Sequence, residues 1–204
     1  MIKNVIFDMG NVVLQFVPQD ATRHFVDDPQ VEKEILSSVF FSQEWLLLAI
    51  GLITEEEALE RMLSHLDTDG KKELARRCFE AWHTLCLHPI DEMREFVKQR
   101  KEEGYGIYIL SNASLRMPKY AGEIIPYWDL YDGAVFSAEI QYMKPQKEMY
   151  ETLFSKYSLI PKECFFIDDK PCNIAAGQAL GMPGHVFDGD MERLEAVWRI
   201  KKER

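Results

Sequence analysis

The chain has 204 residues, of which 47% are hydrophobic, and its formal net charge at pH 7 is −10. This length and composition are typical of a folded globular protein and exclude a disordered one. The negative charge excludes a nucleic-acid binder that depends on a basic surface.

Membrane insertion and secretion are not expected. The longest uninterrupted apolar stretch, residues 45–50, contains six residues, which is too few to cross a bilayer. Met1 lies almost directly before the first predicted strand, so we expect no signal peptide. The four cysteines show no metal-type spacing, which favours free thiols in a reducing compartment. We therefore predict a cytoplasmic protein with no membrane partner.

The first stretch with a chemical signal is residues 5–8. Val-Ile-Phe at 5–7 is β-branched and aromatic, which predicts a strand buried on both faces of a sheet. Asp8 follows this strand directly. An acidic side chain at the carboxyl end of a buried strand lies where open parallel sheets bind their ligands. The alternative is that Asp8 only caps a turn.

Residues 16–84 show helical periodicity and no convincing strand. Pro29 is placed to begin one helix, where its missing N–H costs nothing. Thr54 and Glu57 have the spacing of a capping box that begins another helix. A further helix is predicted from residue 71 to about 82. This segment is predicted to form a small helical bundle.

From Pro89 onwards, strands and helices alternate. Further strands are predicted at residues 106–110, 134–136, 164–167 and 185–187. Alternation of this kind predicts a parallel sheet covered by helices on both faces. The predicted fold is therefore α/β, with a doubly wound core made of residues 1–15 and 85–204. Residues 16–84 are predicted to form a helical cap inserted into that core.

Polar side chains follow three of these strands, and a lysine lies in a loop between them. They are Asp8, Ser111, Asn112, Lys144, Asp168 and Asp169. The carboxyl ends of parallel strands meet at one edge, so these groups should share one crevice. Several carboxylates at one point repel each other unless a cation lies among them, and hard oxygen ligands suit Mg²⁺. Hydroxyl, amide and lysine groups would then bind the oxygens of a phosphoryl group.

This set of residues resembles the haloacid dehalogenase-like (HAD) hydrolase superfamily over essentially the whole chain. The four motifs that carry the resemblance are residues 7–13, 110–112, 144–145 and 166–174. The helical insert is similar to the small α-helical cap of one large subclass. Within it, the Asp-x-Gly-Asn opening at residues 8–11 and the Gly-x-Ile-Thr segment at 51–54 resemble bacterial sugar-phosphate phosphatases, the glucose-1-phosphatase type among them.

The resemblance implies a role for each motif residue. Asp8 would be the nucleophile that forms an aspartyl-phosphate. Mg²⁺ would be bound by Asp8, the carbonyl of Gly10 and the side chain of Asp169. Ser111, the Asn112 backbone and Lys144 would bind the phosphoryl oxygens. Asp168 would position a metal-bound water or Lys144, and Asn173 would contact the metal shell. Asn11 is expected to hydrogen-bond the Asp8 loop.

The chain departs from the family pattern at Gly10. Phosphatases of this family usually carry a second aspartate there, as the general acid for the leaving alcohol. Its loss would cost roughly 10²- to 10⁴-fold in rate. The predicted function is therefore Mg²⁺-dependent hydrolysis of a small phosphate monoester whose leaving group needs little help, such as a sugar 1-phosphate or an acyl phosphate, unless the cap supplies an acid. The predicted partner is a small phosphorylated metabolite, and the protein is expected to be a monomer or homodimer.

Two other functions stay open at this point. A haloacid dehalogenase would attack carbon with the same carboxylate and would need no metal, although the Asp168–Asp169 pair argues against it. A phosphate-ligand binding protein would have lost turnover with the change at Gly10. The aromatic residues Phe40, Phe41 and Trp45 are equally compatible with core packing and with a substrate pocket, and Arg116 is expected on a solvated face.

Overall fold

The computed structural model describes residues 1–202. Its strands in chain order are β1 (Asn4–Phe7), β2 (Leu14–Phe16), β3 (Leu87–Pro89), β4 (Gly106–Ser111), β5 (Gly133–Phe136), β6 (Cys164–Asp168) and β7 (Gly184–Val186). Five of them form a parallel sheet in the order β5-β4-β1-β6-β7, and β2 pairs with β3 in a separate antiparallel ribbon. The predicted α/β fold class is confirmed.

Helices occupy most of the remaining chain. Those between β2 and β3 are α1 (Pro18–Phe25), α2 (Pro29–Ser38), α3 (Gln43–Ile50), α4 (Glu55–Ser64) and α5 (Asp69–Leu85). Those after β3 are α6 (Asp91–Glu102), α7 (Arg116–Ile124), α8 (Ser137–Ile140), α9 (Lys147–Tyr157), α10 (Pro171–Ala179) and α11 (Met191–Lys202). Within residues 1–202, no helix is both long enough and apolar enough to cross a membrane.

Strand β1 lies at the centre of the sheet and is buried on both faces. Val5 and Phe7 belong to the hydrophobic cluster on one side of the sheet, and Ile6 belongs to the cluster on the other side. All three side chains are completely inaccessible to solvent. The alternation follows from the strand period of two residues, which sends successive side chains to opposite faces.

The five helices α1–α5, which we call the helical insert, leave and rejoin the core through the β2–β3 ribbon. Leu14 lies opposite Pro89, and Phe16 lies opposite Leu87. This ribbon was not predicted, because strands of three residues are too short to display a period. Helices α1, α3, α7 and α8 were not predicted individually either. The capping box at the start of α4 is confirmed: the Glu57 N–H donates to Thr54 Oγ1 at 3.2 Å, and the Thr54 N–H donates to Glu57 Oε2 at 2.8 Å.

The helical insert touches the core where α3 ends. Gly51 ends this helix with a φ of +78°, and a Cβ atom there would lie 2.4 Å from the Ala138 carbonyl oxygen. The Ser137 hydroxyl donates to the Ala49 carbonyl oxygen, and Gln141 Nε2 donates to the Gly51 carbonyl oxygen at 3.1 Å. Glycine is therefore required at position 51 for two reasons, its left-handed backbone and the close approach of α8.

Candidate active site

Strand register brings the first and fourth motifs to the same level of the sheet. Phe7 lies opposite Ile109 on β4 and opposite Ile167 on β6. Asp8, the residue that follows β1, therefore lies beside Asp168. The Asp8 N–H donates to the Ile167 carbonyl oxygen at 2.8 Å, which fixes the start of the loop that follows β1.

Lys144 lies between two of these carboxylates. Its Nζ atom is 2.8 Å from Asp8 Oδ1 and 2.7 Å from Asp168 Oδ2, and it donates to the Leu110 carbonyl oxygen at 2.7 Å. The lysine side chain is 1% exposed. A buried ammonium group needs partners of opposite charge, and these three acceptors match the three N–H groups that lysine can donate.

The side chain of Asn112 holds the Lys144 backbone in place. Its Nδ2 donates to the Lys144 carbonyl oxygen at 3.0 Å, and its Oδ1 accepts from the Lys144 N–H at 2.7 Å. Asn112 of the second motif thus fixes the position of Lys144 in the third motif. The Asn112 backbone, which the sequence predicts to bind phosphoryl oxygens, takes no part in this side-chain contact.

Asp168 is fully buried and is surrounded by donors. Besides Lys144, it accepts hydrogen bonds from Asn173 Nδ2, at 2.9 and 3.0 Å, and from the Lys170 N–H at 2.8 Å. The amide of Asn173 therefore contacts Asp168, whereas the sequence analysis expected it at the metal shell. This arrangement makes Asp168 a rigid counter-ion for Lys144.

Asp169 has a different environment from that of its neighbour. It is only partly buried, and its Oδ2 accepts from Asn11 Nδ2 at 3.3 Å. Asn11 has a φ of +58°, a left-handed conformation that asparagine tolerates better than most residues. Its Nδ2 joins the loop after β1 to the loop after β6, and its Oδ1 accepts from the Phe16 N–H at 3.5 Å. The hydrogen bond to the Asp8 loop stays a prediction.

The carboxylates of Asp8, Asp168 and Asp169 form one group. One oxygen of each lies within 4.8 Å of the others, an arrangement that could hold a metal ion. The Lys144 ammonium group contacts two of the three, Asp8 and Asp168, so a cation would reduce the repulsion that remains among them. The donors are hard oxygens, which fit Mg²⁺.

Burial changes the acidity of Asp8. Desolvation raises its pKa from the usual 3.8 to about 6; Lys144 opposes this shift and the nearby Asp168 adds to it. The Met9 N–H donates to Asp8 Oδ1 at 2.6 Å, which also favours the ionised form. A carboxyl group perturbed in this way at the floor of a cleft is a candidate for a functional role.

These residues form the floor of a cavity of about 280 Å³ between the sheet and the helical insert. Gly10 and Ser111 lie at the same floor. The opposite walls are mainly apolar and are provided by Phe16, Trp45, Leu48, Trp82, Leu87 and Met117. Of the three aromatic residues that the sequence left undecided, Trp45 lines the cavity, Phe40 is buried and Phe41 is exposed. Trp82, Leu87 and Met117 were not predicted as cavity residues, because none of them belongs to a motif.

Arg116 joins the core to the helical insert, and the expectation of a solvated face for it was wrong. Its side chain is 10% exposed. Nε and Nη2 each lie 2.7 Å from one oxygen of Glu55 at the start of α4, and Nη1 donates to the Phe79 carbonyl oxygen at 2.8 Å. Two parallel charge-assisted hydrogen bonds of this kind give geometric specificity.

Comparisons with known proteins agree with this geometry. The family model for haloacid dehalogenase-like hydrolases matches residues 2–181. A sesquiterpene phosphatase of Aspergillus oryzae is 30% identical over 91% of this chain and 90% of its own length. A D-ribitol-5-phosphate phosphatase of Bacteroides thetaiotaomicron is 25% identical over 89% of each chain. A HAD-family enzyme of Bacteroides thetaiotaomicron, crystallised with magnesium and inorganic phosphate, superposes with a TM-score of 0.70 at 22% identity, covering 95% of this chain and 99% of that one.

Proposed function

We propose, since the chain belongs to the haloacid dehalogenase-like hydrolase family, that it hydrolyses small phosphate monoesters through a covalent phosphoryl intermediate on Asp8. The observation that carries this proposal is the buried contact of 2.8 Å between Asp8 and Lys144 at the floor of the cavity. The two relatives named as phosphatases support hydrolysis of a phosphate ester.

The chemistry of this chain's residues follows from their positions. An oxygen of Asp8 attacks phosphorus, the new carboxylate–phosphorus bond forms, and the bond from phosphorus to the leaving oxygen breaks. Lys144, the Ser111 hydroxyl and the Asn112 N–H would bind the phosphoryl oxygens and stabilise their charge. Water then hydrolyses the acyl phosphate, which releases inorganic phosphate and restores the Asp8 carboxylate.

Magnesium is the cofactor expected for this site. Asp8, the carbonyl oxygen of Gly10 and the side chain of Asp169 would hold it, since Asp168 is already surrounded by donors. When bound, the ion would neutralise charge between an anionic nucleophile and an anionic phosphate. Asn173 and Asn11 would act indirectly, by orienting Asp168 and Asp169.

We assign the helical insert the role of a cap, with residues 16–84 as one unit and residues 1–15 and 85–204 as the other. The insert provides one wall of the cavity, so substrate entry requires it to move and catalysis requires it to close and exclude water. Arg116 with Glu55, and Gly51 against Ala138, would hold it closed.

The leaving group is constrained by Gly10. Because no side chain at this position can donate a proton, esters whose alcohol leaves without protonation should react best. Sugar 1-phosphates and acyl phosphates belong to this group, and sugar 1-phosphates remain the substrate predicted from the sequence. Phosphate release from glucose 1-phosphate should then exceed release from glucose 6-phosphate.

The proposal is tested by phosphate release with and without Mg²⁺, in the wild type and in Asp8→Asn. We expect release only with the metal, and we expect Asp8→Asn to lose it while the circular dichroism spectrum stays unchanged. Asp27→Asn is the matched control, because Asp27 is exposed on the helical insert and does not line the cavity. Retained phosphatase activity in Asp8→Asn would refute the role of Asp8.

The same preparation separates the two alternatives. A dehalogenase would release halide from a 2-haloacid in the presence of EDTA, and would gain nothing from three carboxylates in one group. A binding protein would take up a phosphorylated ligand in calorimetry without releasing phosphate over hours. Either result would replace the proposed hydrolysis.

A further inference from the structure

The walls of the cavity differ chemically from its floor. The floor contains Asp8, Lys144, Ser111 and Asp169, which would engage a phosphate group and a metal. The walls that face it are apolar side chains from five separate elements, namely Phe16, Trp45, Leu48, Trp82, Leu87 and Met117. The part of a substrate beyond its phosphate would therefore lie against these walls.

Three aromatic rings form the core of this wall. The rings of Phe16 and Trp45 are stacked, with centroids 5.9 Å apart and planes 15° from parallel. The rings of Trp45 and Trp82 meet edge to face at 5.1 Å. Trp82 is 5% exposed and Trp45 is half-buried. The mutual packing holds the rings in place, so the wall is ready before a ligand arrives.

Few polar groups on the walls can accept a polyhydroxylated ligand. Asn11 and Lys170 flank Asp169 at the floor. Glu55 also lines the cavity, and each of its oxygens accepts one hydrogen bond from Arg116 at 2.7 Å, which leaves this carboxylate as the main acceptor for a ligand hydroxyl on that side. Ser114 adds one hydroxyl, and the side-chain amides of Asn112 and Asn173, which also line the cavity, are engaged with the Lys144 backbone and with Asp168. A sugar would have to leave most of its hydroxyl groups without partners, and unpaired buried hydroxyls are costly.

We propose that the leaving group of the substrate is an apolar, ring-sized alcohol rather than a sugar or another polyol. This inference rests on the proposed phosphatase function and replaces the sugar 1-phosphate prediction: among esters whose alcohols leave equally well, those with an apolar alcohol should react best. The phosphate would occupy the polar floor, and the ring would lie against Trp45, Trp82 and Phe16. The cavity volume of about 280 Å³ is at the small end for ligand pockets, which suits a single ring.

The test compares three esters that all carry phosphate on a CH₂ group attached to a six-membered ring: benzyl phosphate, cyclohexylmethyl phosphate and glucose 6-phosphate. We expect kcat/KM for the two apolar esters to exceed that for glucose 6-phosphate by about 100-fold or more, since an apolar pocket rejects even one added hydroxyl by about that factor. Equal or higher kcat/KM for glucose 6-phosphate would overturn the inference.

A pair of variants connects this preference to the aromatic wall. Trp45→Gln should lower kcat/KM for benzyl phosphate by about 10- to 100-fold, the factor expected for losing most of one buried aromatic contact, and should change the value for glucose 6-phosphate little. The matched control is Phe41→Gln, because Phe41 is an aromatic residue of the same insert that is 66% exposed and does not line the cavity. Equal losses on both esters in Trp45→Gln would contradict a role in recognising the apolar ring.

A binding measurement separates failure of this inference from failure of the proposed function. Calorimetry with Mg²⁺ should show benzylphosphonate, which cannot be hydrolysed, binding at least 10-fold tighter than methylphosphonate. If none of the esters releases phosphate but this ratio is found, the phosphatase function fails and the apolar site stands. If phosphate is released and the ratio is absent, the phosphatase function stands and the apolar site fails.

Discussion

An aspartate at position 10 should supply the general acid that the glycine there cannot provide. The structure has room for it, because a Cβ atom built on Gly10 meets no atom within 4 Å. The Gly10 backbone is also outside the left-handed region that only glycine adopts readily. Since Gly10 lines the cavity beside Asp8, a carboxyl group there would face the space that the leaving oxygen occupies.

The expected gain is that of one general acid, about 10²- to 10⁴-fold in rate, which corresponds to about 3 to 5.5 kcal/mol of barrier. The new carboxyl group would lie near Asp8 and Asp169. Repulsion by these carboxylates and burial would both raise its pKa, which keeps it protonated at the pH where Asp8 must be ionised. The gain should therefore be largest at neutral or mildly acidic pH.

The assay is the rate of phosphate release from two esters of different leaving-group acidity. Gly10→Asp should accelerate hydrolysis of benzyl phosphate, whose alcohol leaves poorly, and should change hydrolysis of 4-nitrophenyl phosphate little, because nitrophenolate leaves without a proton. Gly10→Asn is the control, since it has nearly the same size and no acidic proton. Each variant is measured at saturating Mg²⁺, so that altered metal affinity is not mistaken for altered chemistry. Equal acceleration of both esters, or the same gain in Gly10→Asn, would refute the reasoning.

Three further predictions concern stability and the contacts between the helical insert and the core. The pKa of Asp8 in the folded protein, about 6, lies above its usual value of 3.8, so the metal-free protein should lose stability as pH rises between these values. The difference in Tm between Asp8→Asn and the wild type should therefore be larger at pH 7 than at pH 4. A difference in Tm that does not depend on pH would contradict the raised pKa. Arg116→Ala should raise KM several-fold by removing the paired hydrogen bonds to Glu55, with Glu55→Gln giving a smaller effect in the same steady-state assay. Gly51→Ala should lower the free energy of unfolding, measured in urea, by at least about 1 kcal/mol, because its Cβ would collide with Ala138. An unchanged urea midpoint would show that the backbone around Ala138 moves aside at no cost.

Sequence reasoning succeeded where a local pattern dictates the structure. Residues 5–7 predicted a strand buried on both faces, and Thr54 with Glu57 predicted a helix start; both are confirmed. The family resemblance, drawn from four short motifs, is confirmed by the match over residues 2–181. These features depend on neighbouring residues only, so one chain is enough to reveal them.

Features that depend on distant parts of the chain were not predicted. The β2–β3 ribbon pairs residues that are 71 to 75 positions apart in sequence, and neither strand of three residues shows a period alone. Trp82 and Met117 lie at the cavity although no motif includes them. Arg116 is held by Glu55 and by α5 carbonyl groups, contacts that exist only once the insert packs on the core.

Asp168 and Asp169, the adjacent aspartates of the fourth motif, differ in their hydrogen bonds, and this difference bears on which of them could bind a metal. Asp168 is fully buried and accepts from Lys144, Asn173 and the Lys170 N–H, so releasing it to bind a metal would leave the Lys144 ammonium without one of its charged partners. Uncompensated burial of a charge is costly. Among residues 1–202, Asp169 accepts one side-chain hydrogen bond, from Asn11 at 3.3 Å, so it would lose less on turning towards a cation. This difference supports Asp169, and not Asp168, as the proposed metal ligand, with Asp168 as the partner of Lys144.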